Sequence, residues 1–178
     1  MEPELIEDPV LRQRYRFRRD TDADGGEVLH VEAWVEPGGG VTPHNHPAME
    51  ERFTVHSGRM SFLSGREWVQ AGPGETVVVP PGMRHNYSND GDETAHMTCE
   101  ARPPSTLEEF LTEAAGLNRS GKLTRNAIPK TPGAVLDVAD FAVRYRDMVV
   151  FGFPPAPPPF IQRLLFPPLA RLAARRRR

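Results

Sequence analysis

The chain has 178 residues, 38% of them hydrophobic and 26% charged, with a formal net charge of −2 and one cysteine, Cys99. That length suits one ordinary domain with appendages, large enough to bury a core without cross-links. A single cysteine excludes an intrachain disulfide, a charge this close to zero gives no general attraction to nucleic acid, and no apolar run reaches the roughly 18 residues of a membrane span.

The start of the chain, Met1 to Pro9, is acidic and lacks the basic-then-apolar order of a secretory signal, so a cytoplasmic location is expected and nucleic acid is not expected as a partner. From Leu11 to Arg18 arginines alternate with Leu, Gln, Tyr and Phe, the period of a strand with one wet face. Asp22 to Gly26 reads as a turn, and Val28 to Glu36 alternates again, which makes a hairpin. Short β-rich runs then follow at Arg52–His56, Arg59–Leu63, Trp68–Gln70, Thr76–Val79, His85–Tyr87 and Thr94–Ala101, separated by Gly, Pro, Asn and Asp. Closely spaced short strands of this kind predict a sandwich or a barrel.

Beyond the strands the pattern changes. Ser105 followed by Glu108 has capping-box spacing and predicts a helix through Phe110 and Leu111 to a stop at Gly116. Thr131 and Pro132 open a second helix whose apolar face is Val135, Val138, Phe141, Ala142, Tyr145 and Met148. Residues 152–159 are dominated by proline and read as an extended strap, while Pro167-Pro168 should break any longer helix in the tail. Three parts are therefore expected: a barrel with its hairpin over residues 10–103, a helical extension over 104–151, and a Pro-rich, basic tail over 152–178.

The chemistry is concentrated in two segments. In Gly38 to Gly58, His44 and His46 are two apart and share one face of an extended chain, while Glu51 opens the next strand after a Pro47 turn. In Gly74 to Asn89, an apolar strand turns through Pro80-Pro81-Gly82 into a strand opening with His85, a candidate third imidazole. Glu50 is close to the same spacing, but strand parity turns it away from Glu51's face. His56 has parity opposite to Glu51 and should face outward; His30 and His96 have no partner in sequence.

These segments resemble the two motifs of the cupin superfamily, matching the first at Gly38, His44, His46, Glu51 and Gly58, and the second at Gly74, Pro80, Gly82, His85 and Asn89. The distance to Gly58 again selects Glu51. The resemblance implies a mainly β fold, a double-stranded β-helix or jelly-roll barrel over residues 25–103, followed here by two C-terminal helices and the tail. It implies one divalent ion (Fe, Mn, Ni, Co, Cu or Zn) on His44, His46, Glu51 and His85.

Three neutral imidazoles and a carboxylate leave such an ion about one unit of positive charge and, in an octahedral shell, two open positions. A small chelating molecule is thus the expected ligand. By parity Phe53 and Val55 share Glu51's face and Tyr87 shares that of His85, giving an apolar substrate pocket with one phenol. Tyr87 is the candidate for hydrogen bonding or acid/base work. The expected activity is that of a metal-dependent dioxygenase or an isomerase or cyclase on an aromatic or polyketide-like molecule; the alternative is a non-catalytic module that holds a metal-bound ligand. Surplus apolar residues outside the barrel (Phe141, Tyr145, Met148, Phe151, Phe153, Phe160) together with the family's habit predict a homodimer. The arginine-rich end could lie on an anionic membrane surface, but the proline break favours packing of its apolar part on the barrel or on a neighbouring subunit.

Overall fold

The computed structural model describes residues 4–124, 128–152 and 156–176. Ten strands come first: β1 (Ile6–Asp8), β2 (Gln13–Thr21), β3 (Glu27–Val35), β4 (His44–Asn45), β5 (Glu50–Ser57), β6 (Met60–Ser64), β7 (Glu67–Ala71), β8 (Thr76–Val79), β9 (His85–Ser88) and β10 (Ala95–Arg102). They are followed by α1 (Leu107–Arg119), α2 (Pro132–Arg144), β11 (Val150–Phe151) and α3 (Pro159–Arg176). The strands form two antiparallel sheets, ordered β1-β2-β3-β10-β5-β8 and β11-β4-β9-β6-β7. This is the mainly β double-stranded β-helix that the resemblance implies, in place of the broader choice of sandwich or barrel that the alternation alone allows.

Parity decides which side chains build the core. On β3, Val31, Ala33 and Val35 are buried while His30, Glu32 and Trp34 between them are not; on β10, Ala95, Met97, Cys99 and Ala101 are buried in the same way. The outward positions pair with each other: His96 stacks flat on Trp34 with ring centroids 4.8 Å apart and bonds Glu32 at 2.9 Å. Across the gap between sheets, Phe53 of β5 meets Phe62 of β6 at 5.3 Å between centroids, so both inner faces share one core. Burying each such ring contributes about 1.5–3 kcal/mol.

Several expectations change in the helical half. Thr131 caps α2 as predicted, accepting from the Ala134 N–H at 3.1 Å with Pro132 at the first turn. α1 does not start on the predicted capping box: Ser105 has φ of +47°, Thr106 is the cap without a side-chain bond, and Glu108 instead pairs with Arg19 at 2.8 Å. Nor does Gly116 stop it. The helix runs on to Arg119, with Asn118 clamped onto the buried Asp8 carboxylate at 2.9 and 2.7 Å. That long-range contact outweighs the weak helix preference of one glycine.

The largest correction is the tail. Among the described residues there are three C-terminal helices, not two, because α3 continues through Pro167 and Pro168. Each interior proline removes one helix hydrogen bond and costs about 3 kcal/mol locally; packing of Ala170 and Ala173, both buried, is what holds the helix together on α2. The aromatic surplus is also used internally: Phe110, Phe141 and Tyr145 lie within 5.0–5.3 Å of one another, with Phe151 6.2 Å from Phe110. The apolar surface that suggested a dimer is thus largely covered by the chain itself. Phe160 remains exposed, and Phe153 lies outside the described residues.

Candidate metal centre

β4 is two residues long because Pro43 and Pro47 flank it, and neither has an N–H to extend a ladder. Its pairing sets His44 directly opposite His85 of β9, with ring centroids 4.3 Å apart. His46, two residues on, keeps to the same face, 4.9 Å from His44 and 5.6 Å from His85. The turn before β9 is locked to this strand, since the Gly82 N–H donates to the His46 carbonyl at 2.7 Å, and Gly82 adopts φ of +77°, which favours glycine. Glu51 reaches in from the opposite sheet, where β5 is held between β10 and β8.

One ligand atom from each of His44, His46, Glu51 and His85 lies within 4.8 Å of all the others. Two atoms bound to one ion at about 2.1 Å stand no more than about 4.2 Å apart, so a small contraction would bring the set to ligand geometry. Glu51 Oε2 is 2.7 Å from His85 Nε2 and 3.6 Å from His46 Nε2. None of these three buried atoms has a hydrogen-bond partner of proper geometry among the described residues. Buried polar atoms seldom remain unpaired, so the cluster has the donor set of a cation site. His44 keeps a partly exposed edge, whereas the other three are buried.

All three imidazoles are oriented from behind. Nδ1 of His44 donates to the Thr42 carbonyl, Nδ1 of His85 to the Met83 carbonyl and Nδ1 of His46 to the Met148 carbonyl, each at 2.9 Å. With the proton on Nδ1, the Nε2 lone pair is free and faces the cluster. Two of these acceptors are local. The third belongs to the turn after α2, and β11 just beyond it pairs with β4, matching Phe151 to His44 and Val150 to Asn45.

Charge favours a cation as well. Burial, then the neighbouring His85 and His46, push His44 down to about 3, so it stays neutral. Burial alone would raise the Glu51 carboxyl, but His85, His46 and His44 outweigh it and bring it down to about 2. Burial also opposes a charged His85; the Glu51 carboxylate beside it prevails and raises it above the ordinary value.

The second ring of expected residues divides. Phe53 lies 6.3 Å from His85 and 5.7 Å from Tyr87 between centroids, so it forms a wall of the site. Val55 is fully buried, about 13 Å along β5 from Glu51 by strand rise, in the middle of the core. Tyr87 donates its hydroxyl to Gln13 Oε1 at 2.8 Å, and burial holds its proton well above the usual range. His56 faces out and bonds Thr98 at 2.7 Å.

Sequence reasoning overlooked three participants. Gln13 is buried and shares the inward parity of Tyr15, a readable signal. Cys99 places Sγ 3.7 Å from Glu51 Oε1, which alternation on β10 could have suggested. The Met148 carbonyl had no sequence signal.

The Cupin domain family model matches residues 26–99. The polyketide synthase CurC of Streptomyces cyaneus is 32% identical over 111 residues, spanning 58% of this chain and 72% of that protein. Germin-like protein subfamily T member 3 of Arabidopsis thaliana is 29% identical over 100 residues, 53% of this chain but only 41% of its own length. Among solved structures, an RmlC-like cupin from Shewanella frigidimarina has a TM-score of 0.51 at 17% identity, covering 61% of this chain and 89% of that one, a likeness of fold alone.

Proposed function

Because the chain belongs to the cupin superfamily, we propose that its barrel is a metal-dependent enzyme acting on a small aromatic or polyketide-like molecule, as a dioxygenase or as an isomerase or cyclase. The observation that carries this reading is the convergence of His46 Nε2, Glu51 Oε2 and His85 Nε2, buried and without hydrogen-bond partners among the described residues. Together with His44 they would hold one divalent ion of the Fe, Mn, Ni, Co, Cu or Zn group, which suits mixed imidazole and carboxylate donors. When bound, the ion would supply Lewis acidity or, with a redox-active metal, electron transfer.

The chain's own groups define what such a site accepts. Glu51 cancels one of two positive charges, so the centre keeps an attraction for enolates, phenolates and carboxylates. His44, the ligand with an exposed edge, marks the side from which substrate enters. Phe53 and Tyr87 present rings that suit a flat, apolar molecule and exclude water behind it. Tyr87, with its hydroxyl held by Gln13, keeps its proton at neutral pH and serves to position rather than to act as a base. The similarity to CurC supports the polyketide-like end of this substrate class.

The test is metal analysis of the purified protein, then oxygen uptake and product analysis on a panel of phenols and 1,3-diketones with each metal in turn. Turnover that requires metal and is lost in His44→Ala is the expected result. Tight ligand binding without turnover would make the protein a binding module instead, and failure to retain any metal would overturn the reading.

A further inference from the structure

α3 presents a side that nothing in the chain covers. Its buried residues are Ala170 and Ala173, turned toward α2, whereas Phe160 and Leu164 are 70% and 71% exposed and Leu165 and Leu172 are 48% and 49% exposed. Phe160, Leu164, Pro168 and Leu172 follow at intervals of four, so they occupy one side of the helix. Leaving a phenyl ring and three leucines in water forgoes the burial that normally holds an 18-residue helix to its protein.

The helix is also strongly basic, with Arg171 and Arg175 near that same side. After Asp147 the sequence contains no carboxylate, but it contains Arg163, Arg171, Arg175, Arg176, Arg177 and Arg178, the last two outside the described residues. Arg163, Arg171, Arg175 and Arg176 are all exposed, and no ion pair links them to a described carboxylate. The first turns of α3 are therefore apolar and the last turns cationic.

From this pairing we propose that α3 docks on an anionic lipid surface. Phe160, Leu164 and Leu165 would enter the boundary between headgroups and acyl chains, while the arginines reach lipid phosphates along their flexible stems. A second copy of the chain is a poor occupant, because a two-fold contact would set the arginines against each other if the helices ran parallel and against the partner's apolar first turns if they ran antiparallel. Nucleic acid would leave the leucines without a partner. Docking of this kind lies in the plane of the surface; no helix among the described residues is long and apolar enough to cross a membrane. The proposal does not rest on the metal centre.

The experiment is co-sedimentation of the full chain with phosphatidylcholine vesicles, with and without phosphatidylglycerol, at low and high salt. Binding is expected on the anionic vesicles only and should weaken with salt. Phe160→Ser with Leu164→Ser should weaken it at least about tenfold, from the loss of two inserted apolar side chains. Arg171→Gln with Arg175→Gln should weaken it about thirtyfold, at roughly one basic contact each. Because these side chains are exposed, both variants should keep the wild-type melting temperature and metal content. Absence of binding to anionic vesicles at low salt would overturn the proposal, as would equal binding to neutral vesicles. So would light scattering that shows self-association abolished by the serine pair, which would assign the surface to a second copy. If the serine pair does not fold, the glutamine pair, which removes charge alone, decides between these outcomes.

Discussion

Gly152 offers a way to disturb the candidate metal centre without touching a proposed ligand. Its N–H donates to the Pro43 carbonyl at 2.7 Å and so ends the pairing of β11 with β4. A Cβ placed there would sit 2.6 Å from the Pro43 oxygen and 3.0 Å from its carbonyl carbon, both backbone atoms that cannot step aside. Gly152→Ala must therefore lift β11 from β4 and draw Met148 with it, four residues upstream. His46 then loses the acceptor that holds its Nδ1 proton, a buried hydrogen bond worth about 1–3 kcal/mol. Removing a partner that orients a metal-binding histidine weakens metal about 10–100-fold, or about 1.4–2.7 kcal/mol. Competition for zinc or cobalt against a chromophoric chelator reads this directly, and amide exchange at Phe151 reports whether β11 has been released. Gly116→Ala is the control, since a methyl group there meets nothing within 4 Å. If β11 is released and affinity stays within about threefold of wild type, the carbonyl does not orient His46 and the reasoning fails.

Four further outcomes are expected. His44→Ala, His46→Ala and His85→Ala should each weaken metal at least about tenfold, while His56→Ala, which faces outward, should match wild type; metal content per chain of proteins prepared side by side is the check. The metal-free protein should be most stable near pH 6.5. His44 is lowered in the fold, so its contribution is lost as pH falls below that value; His85 is raised, so its contribution is lost as pH climbs above it. Melting temperature against pH tests this, and a monotonic rise across neutrality would contradict it. Gly116→Ala should stabilise α1 by about 0.5–1 kcal/mol in urea titrations, as an alanine replacing a helical glycine in open space. Asn118→Ala should cost about 1–3 kcal/mol on the same measure, because Asp8 is 1% exposed and would lose both hydrogen bonds that the Asn118 amide donates to it.

What could be read from the sequence was what depends on neighbours in the chain. Parity, together with the distance to Gly58, separated Glu51, which faces in, from Glu50, and parity set His56 on the outer side, because each β residue inherits its side from the one two positions away. Pro80-Pro81-Gly82 announced a turn, and a turn at that point returns His85 to the face of His44. α3 could not be read in this way. Its two prolines argue locally for a break, and only the shape of α2, unknown from local pattern, makes Ala170 and Ala173 a packing face. The capping box at Ser105 failed for a related reason: a partner 89 positions away, Arg19, claimed Glu108. β11, two residues with no period to detect, was beyond reach altogether.

The same distinction between local and distant runs through the centre itself. His44 and His85 are held by carbonyls two residues before them, so any chain that folds this barrel orients them. His46 is held by a carbonyl 102 residues away, outside the segment 26–99 that the family model matches. The barrel therefore supplies the four proposed ligands, and the extension supplies the orientation of one of them. Linkage makes this reciprocal: if seating of the turn after α2 strengthens metal binding by some factor, bound metal must favour the seated turn by the same factor. Amide protection at Met148, Val150 and Phe151 should then rise on metal addition. Protection in α1, which carries no contact to a ligand among the bonds described, should not follow it beyond the general gain from ligand binding.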